Sequence, residues 1–450
     1  MTSRAAACAI AGLLILAAGS AMSAHAAGTD PAIRPDGHVL LAWLHGGTSE
    51  DYRAHAEHMP GVTVLSPTWW GLADDDPGGI TGQGDPAFTA WARDRGMAVW
   101  PQLGNRLDAE LSHAVLADGA RRARLVRATA AAVERAGAGG LVVGFENLQE
   151  RTGPALTALV RELRGALPGR VVAVTVAPLT DTWSRGAWST AYERRALGEA
   201  ADYVLLTALD QHDDATAPGP VAGIGWTREA VEHLLRTVPD RKVVLAVPLY
   251  ARSWVDDPTA PGGTRVEATL GMDAMARRLD DARARHAFDA GAGQRRYTHS
   301  GAGGRARQVW QEDAASLGRR AALAGEYNLG GVAGWRAGFA GPGAWDAMSQ
   351  ALALDPRPAD RGSGPPRLNR LVPLPQAADP APETIARWRR ATIQAAGGPA
   401  QPARGPAVVA AALLLAVVAG HVGAAAHRSS RMSASSAFSS PPTSMVTPDR

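Results

Sequence analysis

Two acidic side chains and a set of indoles carry most of the chemistry that this sequence can do. Glu146 ends the run Gly139-Gly-Leu-Val-Val-Gly-Phe-Glu, and Asp210 ends Ala201-Asp-Tyr-Val-Leu-Leu-Thr-Ala-Leu-Asp. A carboxyl group at the end of a buried strand can give or take a proton. Trp43, Trp69, Trp70, Trp100, Trp254 and Trp335 stand at the ends of other strand-like runs. With 13 Trp against 5 Phe, indole is over-used here. A core would more often take Phe and Leu, whereas a flat indole can stack on the C–H face of a pyranose ring. Two carboxylates among indoles suggest a sugar-binding cleft. Any single Trp could instead cap a core, and either carboxylate could be half of a structural ion pair.

These residues need a scaffold that brings strand ends together. Strand-like runs fall at His38–Leu44, Val62–Leu65, Met97–Leu103, Gly140–Phe145, Val171–Ala177, Tyr203–Ala208, Lys242–Pro248 and Gly331–Trp335. Most are near-continuous apolar stretches, as parallel strands buried on both faces are. Helical periodicity intervenes, clearest at Val115–Arg135 and Pro154–Leu167. The alternation predicts an α/β chain, a (β/α)8 barrel, whose sites lie at the C-terminal ends of the strands. The spacing breaks between the seventh and eighth strands, where Arg265–Arg285, Arg295–His299 and Ala306–Gln311 read as helix, strand, strand. That stretch is too long for one loop. It predicts a small α+β insertion over about residues 253–316.

Around the barrel, expected at 28–355, the sequence has flanks of a different character. Residues 1–27 read as a signal peptide: Arg4, an apolar run from Ala5 to Ala18, then Ala24-His25-Ala26. An uncleaved N-terminal anchor is the alternative. Residues 356–405 read as a Pro-rich stalk, 406–427 as a transmembrane helix, and 428–450 as a cytoplasmic tail. The core of that span, 407–426, is Ala, Val, Leu and Gly with one His421, and Arg428 and Arg431 follow. About 20 such residues cross a bilayer, and basic residues favour the cytoplasmic side. A buried Ala-rich helix is the alternative. The reading is therefore an exported protein, anchored in the cell membrane by one C-terminal helix, with its barrel extracytoplasmic. The formal net charge of +3, with both signs scattered, gives no nucleic-acid footprint. The single cysteine, Cys8, lies in the leader, so no disulfide frame, cysteine nucleophile or thiolate metal site is expected. The His residues show no metal-ligand spacing, and no cofactor is expected.

The run ending at Glu146 resembles the fourth-strand motif of glycoside hydrolase family 18, Asp-x-x-Asp-x-Asp-x-Glu. Val64-Leu-Ser-Pro-Thr-Trp-Trp70 and Val99-Trp-Pro-Gln-Leu-Gly-Asn105 resemble the second and third strands of its bacterial chitinase-like, spore-cortex and peptidoglycan N-acetylglucosaminidase-like members. Ala201 to His212, Val309-Trp-Gln-Glu-Asp313 and Gly331-Val-Ala-Gly-Trp-Arg336 resemble the sixth strand, the end of the insertion and the eighth strand. The resemblance implies retaining cleavage of N-acetylglucosamine-containing chains with help from the substrate's own acetamido group. It implies Glu146 as the acid and Trp335 as the floor of the subsite for the reacting sugar. Asn105 and Gln211 are expected among the substrate-binding residues together with the strand-end indoles Trp43, Trp69, Trp70, Trp100 and Trp254. The motif is degenerate. Gly144 stands where the assisting Asp is expected, Gly139 and Val142 replace the two earlier acids, and Leu209 replaces a Tyr beside the retained Asp210.

Three functions follow as alternatives. One is a weak or altered hydrolase of chitin-like or peptidoglycan chains, with Asp210 or Asp181 in place of the missing carboxylate. Another is a glycan-binding pseudoenzyme. The third is a structural ectodomain of the cell envelope. Protein partners are not indicated.

Overall fold

The computed structural model describes residues 34–353, Asp36 and Pro261 excepted. The leader, the stalk, the apolar span 406–427 and the tail lie outside the described residues. Among the described residues no helix is long and apolar enough to cross a membrane.

Eight parallel strand positions form the barrel: Val39–Leu44, Val64–Pro67, a third strand in two pieces, Gly140–Gly144, Val171–Val176, Tyr203–Thr207, Val243–Pro248 and Gly331–Trp335. The eighth strand pairs with both the seventh and the first. Closure runs through the third strand. Its first piece, Ala98–Val99, pairs with Val64–Pro67, and its second, Gln102–Gly104, pairs with Gly140–Gly144. The break falls at Trp100-Pro101. Proline has no N–H to give a ladder; its carbonyl still accepts from Val142 N at 2.9 Å, and Trp100 N donates to Leu65 O at 2.9 Å.

Alternation along each strand sorts the core into two layers. Val39, Leu41 and Trp43 point inward and pack with Val64, Val142, Val171, Leu205, Val244 and Ala333. Leu40, Ala42 and Leu44 point outward to the helices. Two indoles, Trp43 and Trp100, fill the interior. A Cβ on Gly140 would come within 2.8 Å of Trp100 Cδ1, so glycine there makes room for the ring.

Several expected elements differ. The helix expected over Val115–Arg135 is two helices, Ala109–Leu116 and Gly119–Arg135. Asp118 separates them because its carboxylate caps the second, accepting from Ala120 N and Arg121 N. The insertion begins at Tyr250 and is a five-stranded antiparallel sheet carrying one helix, Met272–Asp281. The helix expected from Arg265 starts only at Met272; Thr264–Gly271 is a strand paired with Tyr250–Asp256. Its Thr and Val residues suit a pleated ladder, and the pairing outweighs the helical pattern.

Candidate active site

The inner face of the fourth strand runs Gly140, Val142, Gly144, Glu146, so Glu146 is the first inward side chain past the strand's end. Its main chain is clamped. Glu146 N donates to Asn105 Oδ1 at 3.0 Å, and Asn105 Nδ2 donates to Glu146 O at 2.6 Å. Ser112 Oγ also accepts from Asn105 Nδ2, at 2.8 Å. One residue earlier, Tyr192 Oη donates to Phe145 O at 2.9 Å. Beyond Glu146 the chain turns away at Asn147, at φ 53°, whose Nδ2 donates to Leu107 O. Asn populates the left-handed region more readily than most residues.

The Glu146 side chain is half-buried and meets no cation among the described residues. Burial, with the charge of Asp210 nearby, pushes its carboxyl up to about 7. A glutamate in that state keeps a substantial protonated fraction near neutral pH and can deliver that proton. Asp210 has the opposite environment. It sits at φ 61° just past the sixth strand and accepts from Tyr250 Oη at 2.5 Å and from Arg252 Nη2 at 2.5 Å. Burial alone would raise it; Arg252, Tyr250 and Arg185 outweigh burial and hold it below the ordinary carboxylate range. Two carboxyl groups, pushed apart in acidity, thus face one mouth: an acid and a fixed anion.

Trp335 ends the eighth strand, half-buried, with its ring 5.6 Å from that of Trp43 in an edge-on arrangement. His45 lies 5.6 Å from the same ring. The other indoles are not at the mouth. Trp43, Trp70, Trp100 and Trp254 are 1%, 4%, 0% and 1% exposed, which leaves no face for a ligand. Trp43 lies beneath Trp335. Trp100 stacks on Tyr203 deep in the barrel. Trp70 and the half-buried Trp69 pack outward, Trp69 against Phe88. Trp254 belongs to the insertion, in a cluster with Ala292 and Trp310. Strand ends were the wrong guide for these four, because alternation turns every second end inward or outward into a core.

The polar expectations also move. Asn105 is 1% exposed, and its amide is engaged in holding Glu146; it positions the acid and offers no surface to a substrate. Gln211 Oε1 accepts from Gly223 N at 2.7 Å and so fixes a loop. Asp181 lies on the outside, its carboxylate 64% exposed and bonded through both oxygens to Arg236. It cannot replace the missing group at 144. Leu209 is half-buried beside Asp210. The sequence reading missed Tyr250, Arg252 and Tyr192. The first two were legible as a period-two continuation beyond the seventh strand, Pro248, Tyr250, Arg252. Tyr192 comes from a distant loop and left no signal.

Comparison with known proteins shows the family and the fold. The model of the family described as "Glycosyl hydrolases family 18" matches residues 74–340, more than half of the chain. A Bacillus subtilis protein named as a sporulation-specific glycosylase, YdhD, is 30% identical over 238 residues, 52% of this chain and 56% of its own length. A cortical fragment-lytic enzyme of the same organism is 29% identical over 242 residues, 53% of this chain and 56% of its own. The chain thus spans little more than half the length of these relatives. Among solved structures, a chitinase from Chromobacterium violaceum superposes with a TM-score of 0.63 at 24% identity, covering 70% of this chain and 99% of that one. The Bacillus cereus spore cortex-lytic enzyme SleL superposes with the same score at 19% identity, covering 70% and 74%. At these identities the structures speak for the fold.

Proposed function

The chain belongs to glycosyl hydrolases family 18, and from that premise we propose that its barrel mouth takes an N-acetylglucosamine-containing glycan and that Glu146 is the proton donor to the glycosidic oxygen. The observation that carries this reading is the state of Glu146: half-buried, without a cation, clamped at its backbone by Asn105, and held protonated to about pH 7. Trp335, a half-buried indole against the inner layer, offers a floor for the sugar ring. Asp210, kept ionised by Arg252 and Tyr250, supplies fixed negative charge where a sugar cation would develop. No carboxylate stands at 144 and no phenol at 209. Each missing group of this kind costs about a hundredfold or more in rate, so turnover is expected to be slow.

A second reading, binding without cleavage, is favoured by one observation: the amide of Gln102 fills the space over Gly144. The two separate on incubation of the purified protein with defined N-acetylglucosamine oligomers and with peptidoglycan, recording binding and product release apart. Slow release that depends on Glu146 supports the hydrolase. Binding with no release supports the second reading. Neither would refute both.

Export with the barrel outside a single C-terminal span remains part of the proposal and rests on residues 1–27 and 407–426 alone. Protease added to intact cells should remove the barrel and spare the tail; a digested tail with a protected barrel would reverse the topology.

A further inference from the structure

Gln102 opens the second piece of the broken third strand, with Gln102 opposite Val142 and Gly104 opposite Gly144. A Cβ on Gly144 would lie 2.5 Å from Gln102 Cδ and 2.6 Å from its Nε2. Residue 144 and the Gln102 amide therefore contend for one space on the barrel's inner face, two residues before Glu146. The orientation of that amide is settled by Trp43, whose Nε1 lies 2.8 Å from Gln102 Oε1. An indole N–H only donates, so the amide oxygen faces Trp43 and the NH2 group lies on the Gly144 side. Gln102 is half-buried, and no described residue accepts from its Nε2. Trp43 in turn packs edge-on beneath Trp335. A donor with a fixed direction thus stands over Gly144, two residues before the acid, and is held by Trp43, the ring that packs against the indole floor.

We infer that Gln102 is a substrate-positioning residue that donates from Nε2 to the acetamido carbonyl oxygen of the sugar held over Trp335. The inference rests on the glycan reading of the mouth and adds the group that reads the sugar's substituent. An acetamido group offers an N–H and a C=O. A carboxylate at 144 would accept from the N–H and leave the carbonyl oxygen free to attack the anomeric carbon. The NH2 of Gln102 can only donate, so it engages the carbonyl oxygen itself. The site keeps a hold on the acetylated sugar, but Gln102 takes the space of a carboxylate that would accept the acetamido N–H and orient the group for attack. Gln102 therefore links two features of this mouth, the glycine at 144 and slow turnover.

The test is calorimetric titration of the purified full chain with an N-acetylglucosamine tetramer and with its de-N-acetylated counterpart. The parent is expected to bind the acetylated tetramer about threefold to tenfold more tightly, the worth of one such hydrogen bond. Gln102→Glu keeps an acceptor for Trp43 Nε1, loses the donor and attracts the free amine, so the preference should vanish or invert. Because its carboxylate can accept the acetamido N–H and so orient the group for attack, turnover of the acetylated tetramer should rise at least about tenfold. Gln102→Leu should also lose the preference. Thermal melts separate folding from contact: a Gln102 that only supports Trp43 would make Gln102→Leu less stable and leave the affinity ratio of both variants at the parent's value. An unchanged ratio in folded Gln102→Glu overturns the inference. Should the parent bind neither tetramer, the glycan reading fails first and the inference falls with it. A parent that binds both equally keeps the glycan reading and removes Gln102 from it.

Discussion

Glu146 at the barrel mouth and Glu312 at the root of the insertion are both glutamates taken out of water at a strand's end, and the fold treats them in opposite ways. Glu312 is fully buried and fully met. Arg320 Nη1 donates to it at 2.6 Å and Ser316 Oγ at 2.8 Å. The rest of that guanidinium is also engaged, with Ala222 O at 2.7 Å and Gln294 Oε1 at 2.7 Å. Burial raises the Glu312 carboxyl, and Arg320 opposes the rise. At Glu146 burial also raises the group, but the neighbouring charge, Asp210, pushes the same way. The backbone of Glu146 is satisfied as carefully as the side chain of Glu312; its carboxyl group is left over. A carboxylate that the architecture needs is neutralised by the architecture. One that is positioned and left without a cation is placed for something that arrives from outside.

The largest effect should come from the structural side of this contrast. Arg320→Ala strands a buried carboxylate and should cost about 3–5 kcal/mol of stability in denaturant titration. A loss under about 1 kcal/mol would mean that Glu312 is no more committed to the fold than Glu146. At the mouth, Trp335→Ala should leave the fold intact and weaken oligosaccharide binding by about 1–3 kcal/mol, read by titration calorimetry. Unchanged affinity in a folded variant would remove Trp335 from the floor of the site.

A smaller effect distinguishes the two glutamates by pH. Burial and the nearby charge of Asp210 push the folded-state pKa of Glu146 up from an ordinary value near 4.5 to about 7. Its contribution to stability is therefore fully present below the unfolded value and is lost as pH rises through about 7. Glu146→Gln should match the parent's stability near pH 4 and exceed it by about 1–2 kcal/mol near pH 8. A parent-to-variant difference that does not change with pH would show that Glu146 titrates as an ordinary surface acid.

Much of the scaffold was legible because parallel barrel strands are written as continuous apolar runs, and all eight positions were found that way. Glu146 was legible for the same reason, as a lone charge ending such a run. The third strand's break was not foreseen, although Pro101 marks it, and neither was the strand at Thr264–Gly271, whose partner decides its form. The indoles were the least legible. Trp43 and Trp335 both end strands on the inner layer, yet one is buried beneath the other, and only the packed barrel says which. Trp100 read as a mouth residue and is a deep interior plug that Gly140 accommodates. The role of Gln102 was hidden because it depends on an absence elsewhere, the side chain missing at Gly144.

Whether Glu146 is the mouth's acid is decided by a pH–rate profile. Release of sugar from N-acetylglucosamine oligomers would be followed from about pH 5 to about pH 9 for the parent and for Glu146→Gln. The rate is expected to be slow, flat below about pH 7 and falling above it, as Glu146 loses its proton. Glu146→Gln is expected to lose at least about a hundredfold in rate while oligomer binding is retained. Hydrolysis by the parent that Glu146→Gln leaves unchanged would contradict that role, and the acid would then have to be sought among other groups of the mouth.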